Sequence, residues 1–172
     1  PIQLSNGDIL YFGKSATSES ELRCDIARPN WIFSRGSIQA WKSTDDGKTW
    51  VELGTVPNYE GTVNENYHEP HVVETVSGKL IGLIRFEPAS DFDELIKRVE
   101  VQTIDSDFSL YQTESEDGGV TWTRSRPLDI EGSPPHLLRH SSGALICAYG
   151  YRRKPFGQRI MISRDDGKTW DT

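Results

Sequence analysis

Apolar and polar residues alternate in short runs along this chain, and the runs recur in one order three times. Residues 1–10, 70–81 and 135–146 each hold an apolar run, a glycine-containing turn and a second apolar run. Such a pattern predicts two strands joined by a tight hairpin. A third strand is predicted at 37–42, 110–114 and 158–162. A fourth is predicted at 50–56, at 122–124 and after Trp170. The repeat is therefore four strands in sequence, with boundaries near Val56 and Leu128, dividing the chain into 1–56, 57–128 and 129–172. Repeat two carries an insertion at 87–107, between its second and third strands. Within it, residues 90–99 combine a helix N-cap candidate, Ser90, with apolar positions at helical spacing. Both a short helix and a surface loop fit this stretch.

The turn between third and fourth strands has its own signature. Residues 43–50, 115–122 and 163–170 all read S-x-D-x-G-x-T-W. Each residue type suits a tight turn. The aspartate and the hydroxyls can accept backbone N–H groups of the same turn. The glycine takes a positive φ that a Cβ would resist. The tryptophan starts the outgoing strand and can fill the gap between neighbouring sheets. Three copies with five fixed positions exclude coincidence.

These octapeptides resemble the Asp-box (bacterial neuraminidase) repeat, found on the outer hairpins of β-propeller blades in sialidases and their relatives. The resemblance implies an all-β fold of four-stranded antiparallel blades, six in a complete ring. The three repeats would be three blades of one domain, the last cut just after its octapeptide. Further blades are expected as partners to close the ring, because three would leave open strand edges. The chain opens on Pro1 rather than Met, and a secreted or periplasmic location is the expectation.

Composition narrows the function. A net charge of -7 argues against nucleic-acid binding. No apolar run approaches the roughly 20 residues that span a bilayer. Cys24 and Cys147 lack metal-ligand spacing, and Cys147 reads as a small buried hydrophobe. No metal site and no cofactor are expected, since no paired Cys–His or HExxH spacing is present.

Strand order sorts the loops onto two ends. The octapeptides mark one end, so chemistry is expected at the other, where first strands start and second strands finish. That end collects Lys14, Arg85, Arg152, Arg153 and Arg159 in an acidic chain. Arginine forks match carboxylates in two-point geometry, so the cluster suggests an acidic ligand. Glu69 and Arg85 stand 16 positions apart, one at each finish of the hairpin of repeat two.

By resemblance to sialidases, Glu69 would assist a tyrosine nucleophile, and Arg85 and Arg159 would belong to the arginine triad that holds the substrate carboxylate. The third triad arginine would precede Pro1, and the tyrosine would lie beyond Thr172. Asp25 would be the acid/base residue. His68, His71 and His136 flank the same mouth and depart from the sialidase pattern. They suit hydrogen bonding to a sugar, strand-end capping, or proton abstraction from a uronic acid. The expected activity is a sialidase-like exo-glycoside hydrolase acting on an acidic glycan. A propeller lyase acting on a uronate, and a non-catalytic binding propeller, are the alternatives.

Overall fold

The computed structural model describes residues 1–15, 36–88 and 108–172. Its strands form three antiparallel sheets. Sheet one runs β1 (Ile2–Gln3), β2 (Ile9–Lys14), β3 (Ile38–Ser43), β4 (Val51–Thr55), in that spatial order. Sheet two runs β5 (Tyr67–Glu74), β6 (Leu80–Phe86), β7 (Ser109–Ser115), β8 (Arg126–Glu131). Sheet three holds β9 (Pro135–Arg139), β10 (Leu145–Tyr151) and β11 (Gly157–Ser163), and a bridge pairs Ile162 with Asp171 where a fourth strand begins. Each sheet is an up-and-down meander, as the repeat predicts. Most of the insertion lies outside the described residues, so neither its helix nor its loop reading is placed.

One strand departs from expectation. The outgoing strand of sheet two is Arg126–Glu131, not 122–124, so it runs across the boundary read near Leu128. Thr123 explains the delay. Its hydroxyl accepts the Glu114 N–H at 2.9 Å and its carbonyl accepts the Thr113 hydroxyl at 2.6 Å. Together with the backbone bond from the Thr123 N–H to the Glu114 carbonyl (2.8 Å) they form an irregular clasp, and the regular ladder with β7 begins at Gln112 and Arg126.

Alternation decides how the sheets stack. Leu10, Phe12, Ile38 and Ala40 share one face of sheet one and pack on Leu80, Ile84, Tyr111 and Trp122 of sheet two. The other face of sheet two offers Ile81, Leu83 and Leu110 to Leu137, Leu145, Cys147 and Met161 of sheet three. Sheet two is thus covered on both faces, which is why 80–84 is buried without interruption. Gly82 matters here: a Cβ would stand 2.9 Å from the Phe12 ring, which needs that space to reach Trp122 at 4.7 Å. Burial pushes the Cys147 thiol up to about 12, so it stays a neutral core group.

The octapeptides fold as their residue types require. In each, the Ser Oγ accepts the Gly N–H at 2.9 Å and donates to the Asp Oδ1. The same carboxylate accepts both the N–H and the hydroxyl of the Thr. Those Thr hydrogen bonds hold Asp117 and Asp165 down to about 2 and lower Asp45.

Candidate active site

The register puts the octapeptides and the candidate site at opposite ends of the strands. Ser115, which opens the second octapeptide, pairs with Leu80, whereas Arg85 and Phe86 pair with Leu110 and Ser109 at the other end of β7. In sheet three Ser163 pairs with Leu145, and Arg159 pairs with Tyr149 further along. About 3.3 Å of rise per residue separates the ends by roughly 17 Å between Leu80 and Arg85.

Glu69 is the distinctive residue. The β5–β6 ladder is regular at His68–Arg85 and resumes at His71–Leu83, leaving a bulge at Glu69 and Pro70. Glu69 there adopts φ 42, a left-handed conformation that costs a non-glycine residue of order 1 kcal/mol or more. The bulge turns its carboxylate onto β6. Arg85 Nη1 donates to Glu69 Oε2 at 2.8 Å. Arg85 Nη2 donates to Glu87 Oε2, also at 2.8 Å, and the guanidinium lies 4.3 Å from the centre of the Phe108 ring. Sequence reasoning missed Glu87 and Phe108. The available signal was the spacing: residues 85 and 87 flank the end of one strand on the same side.

Glu69, Glu87 and Arg85 sum to a formal charge of -1, which Lys14, lining the same cleft as Glu69, offsets. Arg85 is thus engaged on both arms, unlike the open carboxylate clamp that the arginine count suggests. The other cations are engaged too. Lys14 Nζ donates to the carbonyls of Asn64 (3.0 Å) and Tyr67 (2.7 Å), tying the end of β2 to the start of β5. Arg152 Nε donates to the Ser133 carbonyl at 3.1 Å, and Arg153 pairs with Glu131. Arg159 is exposed and lies 3.4 Å from the centre of the Tyr151 ring.

A cleft of about 380 Å³ opens between sheets one and two. Pro1, Tyr11, Lys14, Glu69 and His71 are among its lining residues. His71 Nδ1 accepts the Leu137 N–H at 3.2 Å across the sheet boundary, and its ring centre stands 4.3 Å from that of His136. Burial, with His136 beside it, lowers His71 to about 4. His68 is lowered to about 4 as well, chiefly by burial and then by the charges of Lys14 and Arg85.

The structure therefore brings together Glu69, Arg85, Lys14, His68, His71 and His136. Arg152 and Arg159 sit on sheet three, and no described bond links them to Glu69 or Arg85. Asp25 lies outside the described residues. Among the described residues no group of three or more His, Cys, Asp or Glu is arranged to hold a metal ion. No described helix is long and apolar enough to cross a membrane.

No protein-family model matches the chain. It is similar to the xyloglucanase Xgh74A of Acetivibrio thermocellus, with 29% identity over 131 residues that make up 73% of this chain and 14% of that protein. Among solved structures it superposes on the α-L-arabinanase of Penicillium chrysogenum with a TM-score of 0.61 and 21% identity, covering 99% of this chain and 46% of the arabinanase. The Hadza microbial sialidase Hz136 gives a TM-score of 0.61 and 20% identity over 81% of this chain and 31% of the sialidase. The chain thus spans less than half the length of each of these three proteins. At these identities the superpositions show the fold alone: a β-propeller, of which this chain supplies about three blades.

Proposed function

We propose that this chain is part of a glycoside hydrolase and that Glu69 is its mouth-side catalytic carboxylate. The observation that carries the reading is Glu69 itself: a strained, bulged carboxylate, fixed by Arg85 and facing a cleft. Strain of this kind persists where the surroundings over-determine it and concentrates at functional sites. Arg85 donates to the Glu69 carboxylate, which suits Glu69 to stabilising positive charge at an anomeric carbon or to accepting a proton. Glycosidases pair such a group with a carboxylic acid that protonates the leaving oxygen, and Asp25 is the proposed acid. The likeness to a xyloglucanase, an arabinanase and a sialidase supports carbohydrate as the ligand class.

The sugar bound beside Glu69 is proposed to be uncharged. The one guanidinium beside Glu69 already serves two carboxylates, so neither of its arms is open to a substrate carboxylate. The sialidase-like reading, an acidic sugar held by arginine, is favoured by one observation: Arg159 is exposed and rests on Tyr151. A full-length protein carrying this chain, assayed on arabinan- and xyloglucan-derived oligosaccharides, sialosides and uronosides, separates the readings. Turnover of neutral substrates, lost in Glu69→Gln, is the expected result. Full activity in Glu69→Gln removes Glu69 from the chemistry. Turnover confined to sialosides returns the acidic-sugar reading, and an unsaturated, ultraviolet-absorbing product establishes a lyase.

A further inference from the structure

His71 lies two residues from Glu69 and lines the same cleft. Its two ring nitrogens are not equivalent. Nδ1 accepts a hydrogen bond from the backbone N–H of Leu137, on the neighbouring sheet. A backbone N–H can only donate, so Nδ1 must carry a lone pair and no proton. The neutral ring then holds its single proton on Nε2. A second observation supports neutrality: the His136 ring stands 4.3 Å away at 47°, so an imidazolium would sit against another basic ring in a partly buried seam. The titratable group packed on His71 from another element is His136 of β9, and Glu69 stands two residues away on its own strand, lining the same cleft.

We infer that His71 is locked as the Nε2–H tautomer and serves the cleft as a fixed hydrogen-bond donor to a sugar hydroxyl, not as a proton-abstracting base. The tautomer follows from the Leu137 bond alone; the sugar as acceptor rests on the function proposed above. The consequence reaches the reaction class. A base needs a lone pair aimed at the substrate, and the His71 lone pair points into the sheet boundary. The lyase alternative therefore loses this histidine as its proton acceptor. A neutral imidazole donor polarises a hydroxyl without giving up its proton, a use of histidine that a lowered pKa protects.

Long-range proton–nitrogen NMR on a full-length protein carrying this chain, nitrogen-15-labelled at its histidines and amides, tests this directly. At about pH 6.5 His71 is expected as the neutral Nε2–H form, and it should stay so until the pH nears 4. An Nδ1–H tautomer, or an imidazolium at pH 6, overturns the inference. Arabinobiose is the probe for the donor role. Its addition should shift the His71 Nε2 signal together with the Glu69 amide. A shift at Glu69 without one at His71 overturns the donor role and leaves the function standing. A shift at neither contradicts both, while the tautomer result stands apart. His71→Asn keeps an acceptor near the Nδ1 position and removes the Nε2–H, which the shorter amide does not reach. It should preserve the amide spectrum and weaken arabinobiose binding about tenfold, the loss of one hydrogen bond of about 1.4 kcal/mol. Unweakened binding in this variant overturns the donor role as well.

Discussion

Gln112 offers the sharpest test of how the sheets are joined. It is fully buried on β7. In the first two octapeptides the Trp indole N–H donates to the Gly carbonyl of its own turn, at 3.1 Å and 3.0 Å. The third differs. Trp170 Nε1 donates instead to Gln112 Oε1 at 2.8 Å, and Gln112 Nε2 donates to the Gly167 carbonyl at 2.8 Å. The amide of sheet two is thus inserted into the turn of sheet three. Replacing Gln112 with Leu nearly conserves volume, so the cavity cost is small. Two groups lose their partner, the Gly167 carbonyl and the Trp170 indole. Glu114, the third partner of the amide, keeps Lys79. Each stranded buried group costs about 1–3 kcal/mol, and Trp170 is only half-buried, so the expected loss is about 2–4 kcal/mol. Urea unfolding followed by tryptophan fluorescence should show the midpoint falling by roughly 1–3 M at unchanged slope, given slopes of about 1–3 kcal/mol/M. A loss under about 0.5 kcal/mol refutes the reasoning. It would mean that Trp170 has returned to Gly167, as in the other turns, and that the amide bridge holds nothing together.

The remaining predictions concern packing, charge and pH. Phe12→Ala empties the space between Gly82 and Trp122 and should cost about 3–5 kcal/mol in the same unfolding assay; under 1 kcal/mol would show that the first two sheets are not joined through this ring. Glu87→Gln removes one of the two carboxylates on Arg85 and should strengthen binding of glucuronate or N-acetylneuraminate several-fold by calorimetry; unchanged binding would discard the argument that the engagement of Arg85 favours a neutral sugar. His68 and His71 titrate near 4 when folded and near 6.5 when unfolded, so the unfolded chain takes up more protons between these values. Thermal stability should be full above about pH 6.5 and decline as pH falls towards 4, with a further decline between about 4 and 2 as Asp117 and Asp165 protonate. A melting temperature independent of pH between 7 and 4.5 would contradict the burial of both rings.

The sequence by itself determined what is local or repeated. The octapeptides were legible because their hydrogen bonds close within eight residues, so residue type and spacing specify them. The hairpins were legible because alternation and a glycine turn fix which strands pair, and hairpin pairing is also why Glu69 and Arg85 could be placed side by side. Strand order then settled which end carries the octapeptides. Only the tertiary structure decided which partner each cation takes. Lys14 reaches backbone carbonyls 50 residues away, Arg85 is shared with Glu87, and Arg159 lies on Tyr151. Strand alternation says which face a side chain occupies and nothing about which of several acceptors within reach will win. That choice depends on distance, burial and competing charges, all set when the sheets stack. The same holds for the His71–His136 contact and for Gln112, each of which joins elements whose pairing no local pattern encodes. The five mouth-side cations could be counted in the sequence; that they are mostly engaged, and that two carboxylates take both arms of Arg85, follows from long-range packing alone.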